Sequence, residues 1–168
     1  MATSHGPSFY LLSAPRFQEN FTRLTKAFRT HYPKTTIAYS YKTNYVPRFC
    51  EIVSHLGGYA EVVSSMEMKL ALKLGVSASK VFFNGPYKEH EYVLSLLQAG
   101  GTVNVDSWEE LRRIASSADQ HAGEPLNLGL RCIFEVHDGV LSRFGFDTDS
   151  QDFLDAVALI DGHPKLKL

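Results

Sequence analysis

A single lysine, Lys42, ends an apolar run rich in β-branched and aromatic residues, Ile37-Ala38-Tyr39-Ser40-Tyr41. Such a run predicts a buried strand, and the carboxyl end of a buried strand is where parallel α/β proteins keep their chemistry. Stripped of water there, an amine shifts toward its neutral form and becomes a nucleophile for an aldehyde. A surface lysine just past a strand is the competing reading. Glu61, in the strand-like Tyr59-Ala60-Glu61-Val62-Val63, is either a solvated carboxylate or part of the same site. Glu67 follows Ser64 by three residues, the spacing of a capping box. Arg131 ends an otherwise apolar run from Leu126, a costly place for a charge unless it meets an anion; a structural ion pair would satisfy it equally. Asn84 and Asp106 read locally as turn and cap residues.

The elements that must position these residues alternate along the chain. Phe17, Phe21, Leu24 and Phe28 predict one apolar face of a helix ended by Pro33, after a short strand-like run at Phe9-Tyr10-Leu11-Leu12. Pro47 opens a helix carrying Phe49, Ile52, Val53 and Leu56, stopped at Gly57-Gly58. Ser64 and Glu67 open a helix with Met66, Leu70 and Leu74 on one face. Lys80 to Phe83, Thr102 to Val105 and Leu126 to Ile133 read as strands. Between them lie a helix with Val93, Leu96 and Leu97 and another opened by Ser107 and Glu110. A last helix with Phe153, Val157 and Ile160 precedes a sixth strand at Leu166-Lys167-Leu168. Strands and helices alternating in this way predict a parallel sheet. No GxGxxG follows the first strand, which favours a (β/α)8 TIM-type barrel over a dinucleotide fold; a short open flavodoxin-like sheet is the alternative. A closed barrel needs about 250 residues, so the 168 residues are expected to be the first five to six strands of one, the N-terminal portion of a longer protein.

Composition narrows the function classes. A net charge of -1 points to neither nucleic acid nor an anionic membrane as partner. No apolar run approaches the length of a membrane span. Cys50 and Cys132 lie far apart without CxxC context and read as reduced thiols of a cytoplasmic protein. The seven histidines are scattered, so no metal is expected.

Several of these stretches, in order, resemble one family. Tyr39-Ser40-Tyr41-Lys42-Thr43-Asn44 resembles the Tyr-x-x-Lys-x-Asn motif of pyridoxal-phosphate enzymes with an alanine-racemase-like barrel, and more narrowly the ornithine, diaminopimelate and arginine decarboxylases. Phe9-Tyr10, Glu61 to Glu67, Asn84 to Lys88, Asp106 to Leu111, Leu130-Arg131 and Ser142-Arg143-Phe144-Gly145 resemble further motifs of that family. The resemblance implies a pyridoxal 5'-phosphate cofactor held as a Schiff base on Lys42. Glu61, Glu67 and Arg131 would lie beside it, with Arg131 paired to an acid such as Glu67. Asn84, Ser142, Arg143 and Gly145 would be adjacent to the site or to a homodimer interface. Arg143 stands where lysine is commoner, and Glu61 where aspartate is. The implied reaction is decarboxylation of an amino acid or amino-acid-derived substrate. Alternatives are an alanine-racemase-type enzyme or a catalytically silent regulatory homologue.

The same resemblance places a ring-stacking histidine, a glutamate on the ring nitrogen, a glycine-rich phosphate loop and a C-terminal β-domain beyond this chain. The 168 residues alone are therefore expected to bind the cofactor weakly and not to turn over. The short stretch from Phe134 to Leu141 lacks the insertion of diaminopimelate decarboxylases proper, which points to an atypical substrate.

Overall fold

The computed structural model describes residue 8 and residues 10–133 and 144–168. Ser13 caps α1 (Ala14–His31) by accepting from the Arg16 N–H, with Pro15 in the first turn. The strand β1 (Ala38–Ser40) and α2 (Pro47–His55) follow. Then come β2 (Tyr59–Val62), α3 (Ser65–Lys73), β3 (Val81–Phe83), α4 (His90–Gln98), β4 (Thr102–Val105) and α5 (Trp108–Ala118). The serine caps read from sequence are present: Ser64 accepts from the Glu67 N–H, and Ser107 from the Glu110 N–H. β5 spans Leu126–Leu130, β6 Cys132–Ile133 and β7 Phe146–Asp147, before α6 (Gln151–Gly162) and β8 (Leu166–Lys167).

Six strands form one parallel sheet in the order β1-β2-β3-β4-β5-β8, each beside the next main strand in the chain. A flavodoxin-like sheet would reverse direction at its first strand; this one winds in a single sense, as a barrel does. Burial along the strands agrees. Ala60, Val62, Val81, Phe83, Val103, Val105, Leu126 and Leu128 are buried beneath the helices. The alternate residues Glu61, Phe82, Thr102, Asn104, Asn127 and Gly129 face the other way and are only half-buried. One face is thus a closed core. The other is the half-open interior wall of a curved sheet.

Several local expectations are corrected. Tyr10, Leu11 and Leu12 form no strand and are exposed, Tyr10 at 99%; Phe9 lies outside the described residues. Of the predicted stripe on α1 only Phe21 is buried, while Leu24 and Phe28 stay about half exposed, because α1 packs chiefly along α2 and reaches the sheet at Phe17, against Tyr39 of β1. In α3 the core takes Met68 and Ala71, not Met66, which is exposed. The run from Leu126 to Ile133 is broken at Arg131, beyond which β6 pairs with β7 instead of continuing the sheet.

Candidate active site at the strand ends

The carboxyl ends of β1 to β5 surround a cavity of about 410 Å³, within the usual range for a small-molecule site. Its walls include Lys42, Glu61, Asn84, Asn104, Arg131 and Phe144. The parallel register explains the convergence. Ser40 aligns with Glu61, Glu61 with Phe82 and Asn104 with Gly129, so alternate residues of successive strands project to the same side.

Lys42 does not lie within the strand. β1 ends at Ser40, and Lys42 sits in the following turn with its side chain exposed, so these residues do not supply the burial expected for it. It has no hydrogen-bond or ion-pair partner among the described residues. Its neighbour Tyr41 points the opposite way, fully buried beside Cys50 of α2, with a hydroxyl that finds no hydrogen-bond partner among the described residues. Burial, with the Cys50 thiol beside it, pushes the Tyr41 phenol well up, which suits it to packing and not to proton abstraction. No tyrosine lines the cavity among the described residues.

Glu61 is held rather than loose: Asn84 Nδ2 donates to its Oε1 at 2.8 Å. Asn84 in turn accepts from Asn104 Nδ2 at 2.5 Å. Asn84 is therefore more than a turn residue. Arg131 meets Asp106, NH1 to Oδ1 at 3.1 Å, and its guanidinium lies 4.9 Å from the centre of the Phe144 ring. The expected pairing of Arg131 with Glu67 is thus corrected. Glu67 is buried, 6% exposed, and is used locally: its Oε2 accepts the Val63 N–H at 2.7 Å. Glu67 does not reach the cavity wall. Asp106 is not the cap, since Ser107 fills that place, and it is free to take the arginine.

Gly145 adopts φ +101 against the Arg131 carbonyl, where any Cβ would collide. The Phe146 N–H donates to that same carbonyl at 2.7 Å, which brings Phe144 over the guanidinium. Ser142, Arg143 and the stretch from Phe134 to Leu141 lie outside the described residues.

Two residues escaped the sequence reading. Asn104 is one polar position of the alternating Thr102-Val103-Asn104-Val105, and that alternation was its only signal. Lys88 looked like a turn lysine, yet its side chain is 0% exposed. It donates to the carbonyls of Gly85 (2.6 Å) and Asn104 (3.1 Å) and pairs with Glu110 at 3.0 Å. Glu110 also accepts the Asp106 N–H at 2.9 Å, as Glu67 does for Val63, so the two Ser-x-x-Glu caps brace the two strand ends alike. Glu67→Ala should therefore cost about 1–3 kcal/mol, the penalty for a backbone donor left unpaired, without changing the cavity's ionic groups. Urea melts of the two chains with matched m-values would check it.

Residues 18–162 match the family model described as pyridoxal-dependent decarboxylase, pyridoxal binding domain. The chain belongs to the pyridoxal-dependent decarboxylases. Among the chain's relatives is a probable diaminopimelate decarboxylase, chloroplastic, of Oryza sativa subsp. japonica, 30% identical over 94% of this chain and 34% of that protein. The diaminopimelate decarboxylase of Methanocaldococcus jannaschii is 28% identical over 95% of this chain and 39% of its own length. A crystal structure of diaminopimelate decarboxylase from M. jannaschii superposes with a TM-score of 0.85 at 27% identity, covering 99% of this chain and 41% of that one. The chain thus spans between a third and about two fifths of the length of these relatives. Its sheet is the N-terminal portion of a (β/α)8 barrel, and the cofactor of its family is pyridoxal phosphate. The residues present fit that cofactor, since an amine with no partner among the described residues opens on a cavity of suitable size that also carries a carboxylate, two amides and a guanidinium. No helix among the described residues is long and apolar enough to cross a membrane, and no cluster suited to a metal ion occurs among them.

Proposed function

We propose that residues 1–168 are the N-terminal portion of the cofactor-binding barrel of an amino-acid decarboxylase, and that Lys42 holds the cofactor covalently through Nζ. The observation that carries this is the Lys42 amine, without a partner among the described residues, on the same cavity as the Asn84-held Glu61 carboxylate. When bound, pyridoxal phosphate supplies an aldehyde for the amine and a ring that stabilises negative charge on the carbon losing carbon dioxide.

The chain's own residues would bind and orient. Lys42 reaches the cavity from a turn fastened by the Thr43 hydroxyl and N–H on the Ser40 carbonyl. Glu61 presents a fixed carboxylate toward the cavity. Arg131, held by Asp106 and stacked on Phe144, gives the far wall a positive charge whose direction is set before any ligand arrives. Glu67 acts from behind, fixing the β2 end that carries Glu61. Substrates with an amino-acid head and a second polar end are favoured, because the named relatives are diaminopimelate decarboxylases. A homodimer is supported by the sequence likeness of Ser142-Arg143-Phe144-Gly145 to a segment the family keeps near its dimer contact.

Pyridoxal phosphate added to this chain, reduced with borohydride and mapped by peptide mass, should mark Lys42 at cofactor concentrations that leave the other lysines unmarked. Even marking of all lysines would refute the assignment.

A further inference from the structure

The Glu61 carboxylate is oriented by a hydrogen-bond chain that begins two strands away. An ionised carboxylate only accepts, so Asn84 must turn Nδ2 toward Glu61 and its oxygen toward Asn104. Asn104 must then present its own Nδ2, as the observed bonds of 2.8 and 2.5 Å require. Every donor in the chain therefore points toward Glu61, and its single negative charge fixes both amide orientations.

Asn104 is itself pinned from two directions. On the helix side, buried Lys88 donates to its backbone carbonyl at 3.1 Å. On the interior side, Gly129 of β5 stands opposite it in register, and any Cβ there would collide with Asn104 Oδ1. The absence of a side chain at Gly129 is what leaves room for the amide.

We propose that Asn104 is a positioning residue for Glu61, acting through Asn84 to set how the carboxylate faces an amine or cofactor at Lys42. This rests on the cofactor-binding reading of the cavity. Gly129 belongs to the same device, as the space the amide occupies.

Reversing the polarity tests it. Asn104→Asp sets a carboxylate against Asn84, which can answer only by turning Nδ2 away from Glu61, leaving two acceptors face to face. Adding Glu61→Gln provides a donor at the other end, and the chain can re-form with every bond reversed. In this chain, Asn104→Asp should lower the melting temperature by roughly 4–8 °C, and Glu61→Gln in that background should recover at least half of the loss. Borohydride trapping with pyridoxal phosphate at fixed concentration should fall roughly tenfold at Lys42 in Asn104→Asp, with other lysines unchanged, as expected for loss of a hydrogen bond to a charged group. Gly129→Ala displaces the amide without adding charge and should reduce trapping in the same way; it carries the test if Asn104→Asp does not fold.

Additive melting shifts for Asn104→Asp and Glu61→Gln would overturn the relay. Selective Lys42 trapping that neither Asn104→Asp nor Gly129→Ala alters would overturn the positioning role alone. Unselective trapping in the unaltered chain would overturn the cofactor reading and the positioning role with it.

Discussion

Lys42→Ala is expected to remove the visible absorbance of bound pyridoxal phosphate and to reduce turnover of a protein carrying the complete site by on the order of 10³-fold or more, as loss of a covalent catalytic group does. No other lysine can substitute. Among the residues named on the cavity wall Lys42 is the only amine, and the nearby Lys88 is enclosed by two carbonyls and the Glu110 carboxylate. Lys42→Arg should fail equally, since a guanidinium keeps the charge but remains protonated and is no nucleophile. Because Lys42 is exposed and makes no contact the fold depends on, both variants should melt within about 1 °C of the parent chain, as surface substitutions usually do. Absorbance and turnover that both survived Lys42→Ala would place the covalent group elsewhere.

The largest stability effect should come from Glu110→Ala. That substitution leaves the Lys88 ammonium buried with only the Gly85 and Asn104 carbonyls to face it, and also strips the Asp106 N–H of its acceptor. Removing one partner of a buried ion pair costs about 3–5 kcal/mol, a large part of the total stability of a domain. A fall of roughly 10 °C in melting temperature would correspond. Lys88→Met removes the fully buried charge and should cost less, its remaining penalty being the two carbonyls left without their donor and the Glu110 carboxylate, 17% exposed and so partly hydrated, left without its cation. Calorimetry of the two variants settles the ranking; a Lys88→Met chain less stable than Glu110→Ala would contradict it.

Both predictions concern strand ends, where what is read locally and what depends on distant pairing part company. The serine caps were legible because their partners sit three residues apart within one turn. Helix α4 was legible in its buried face, Val93, Leu96 and Leu97, for the same reason. The stripe on α1 misled because periodicity reports an apolar face but not what covers it: Phe21 meets the core, whereas Leu24 and Phe28 do not. Arg131 was recognisable as a charge in need of an anion. Which anion was not, since Asp106 and Glu67 are both acids at the end of a βα unit. Glu67 is consumed by the backbone beside it, and that leaves Asp106.

The sequence by itself determined the alternation of the six sheet strands with their helices, the Ser64 and Ser107 caps, the parallel sheet and the family. Each of these rests on spacing within a single element or on motifs in a fixed order. It also singled out Lys42 by residue type and position at the end of a strand. Only the tertiary structure decided that Lys42 stands exposed in a turn, that Lys88 is buried, and that Asn104, Asn84 and Glu61 join in one chain of hydrogen bonds. The partners in that chain are 20 and 23 residues apart, and Arg131 and Asp106 are 25 apart. Such pairs meet only when neighbouring parallel strands adopt one register, and register is a property of the assembled sheet and not of any strand alone.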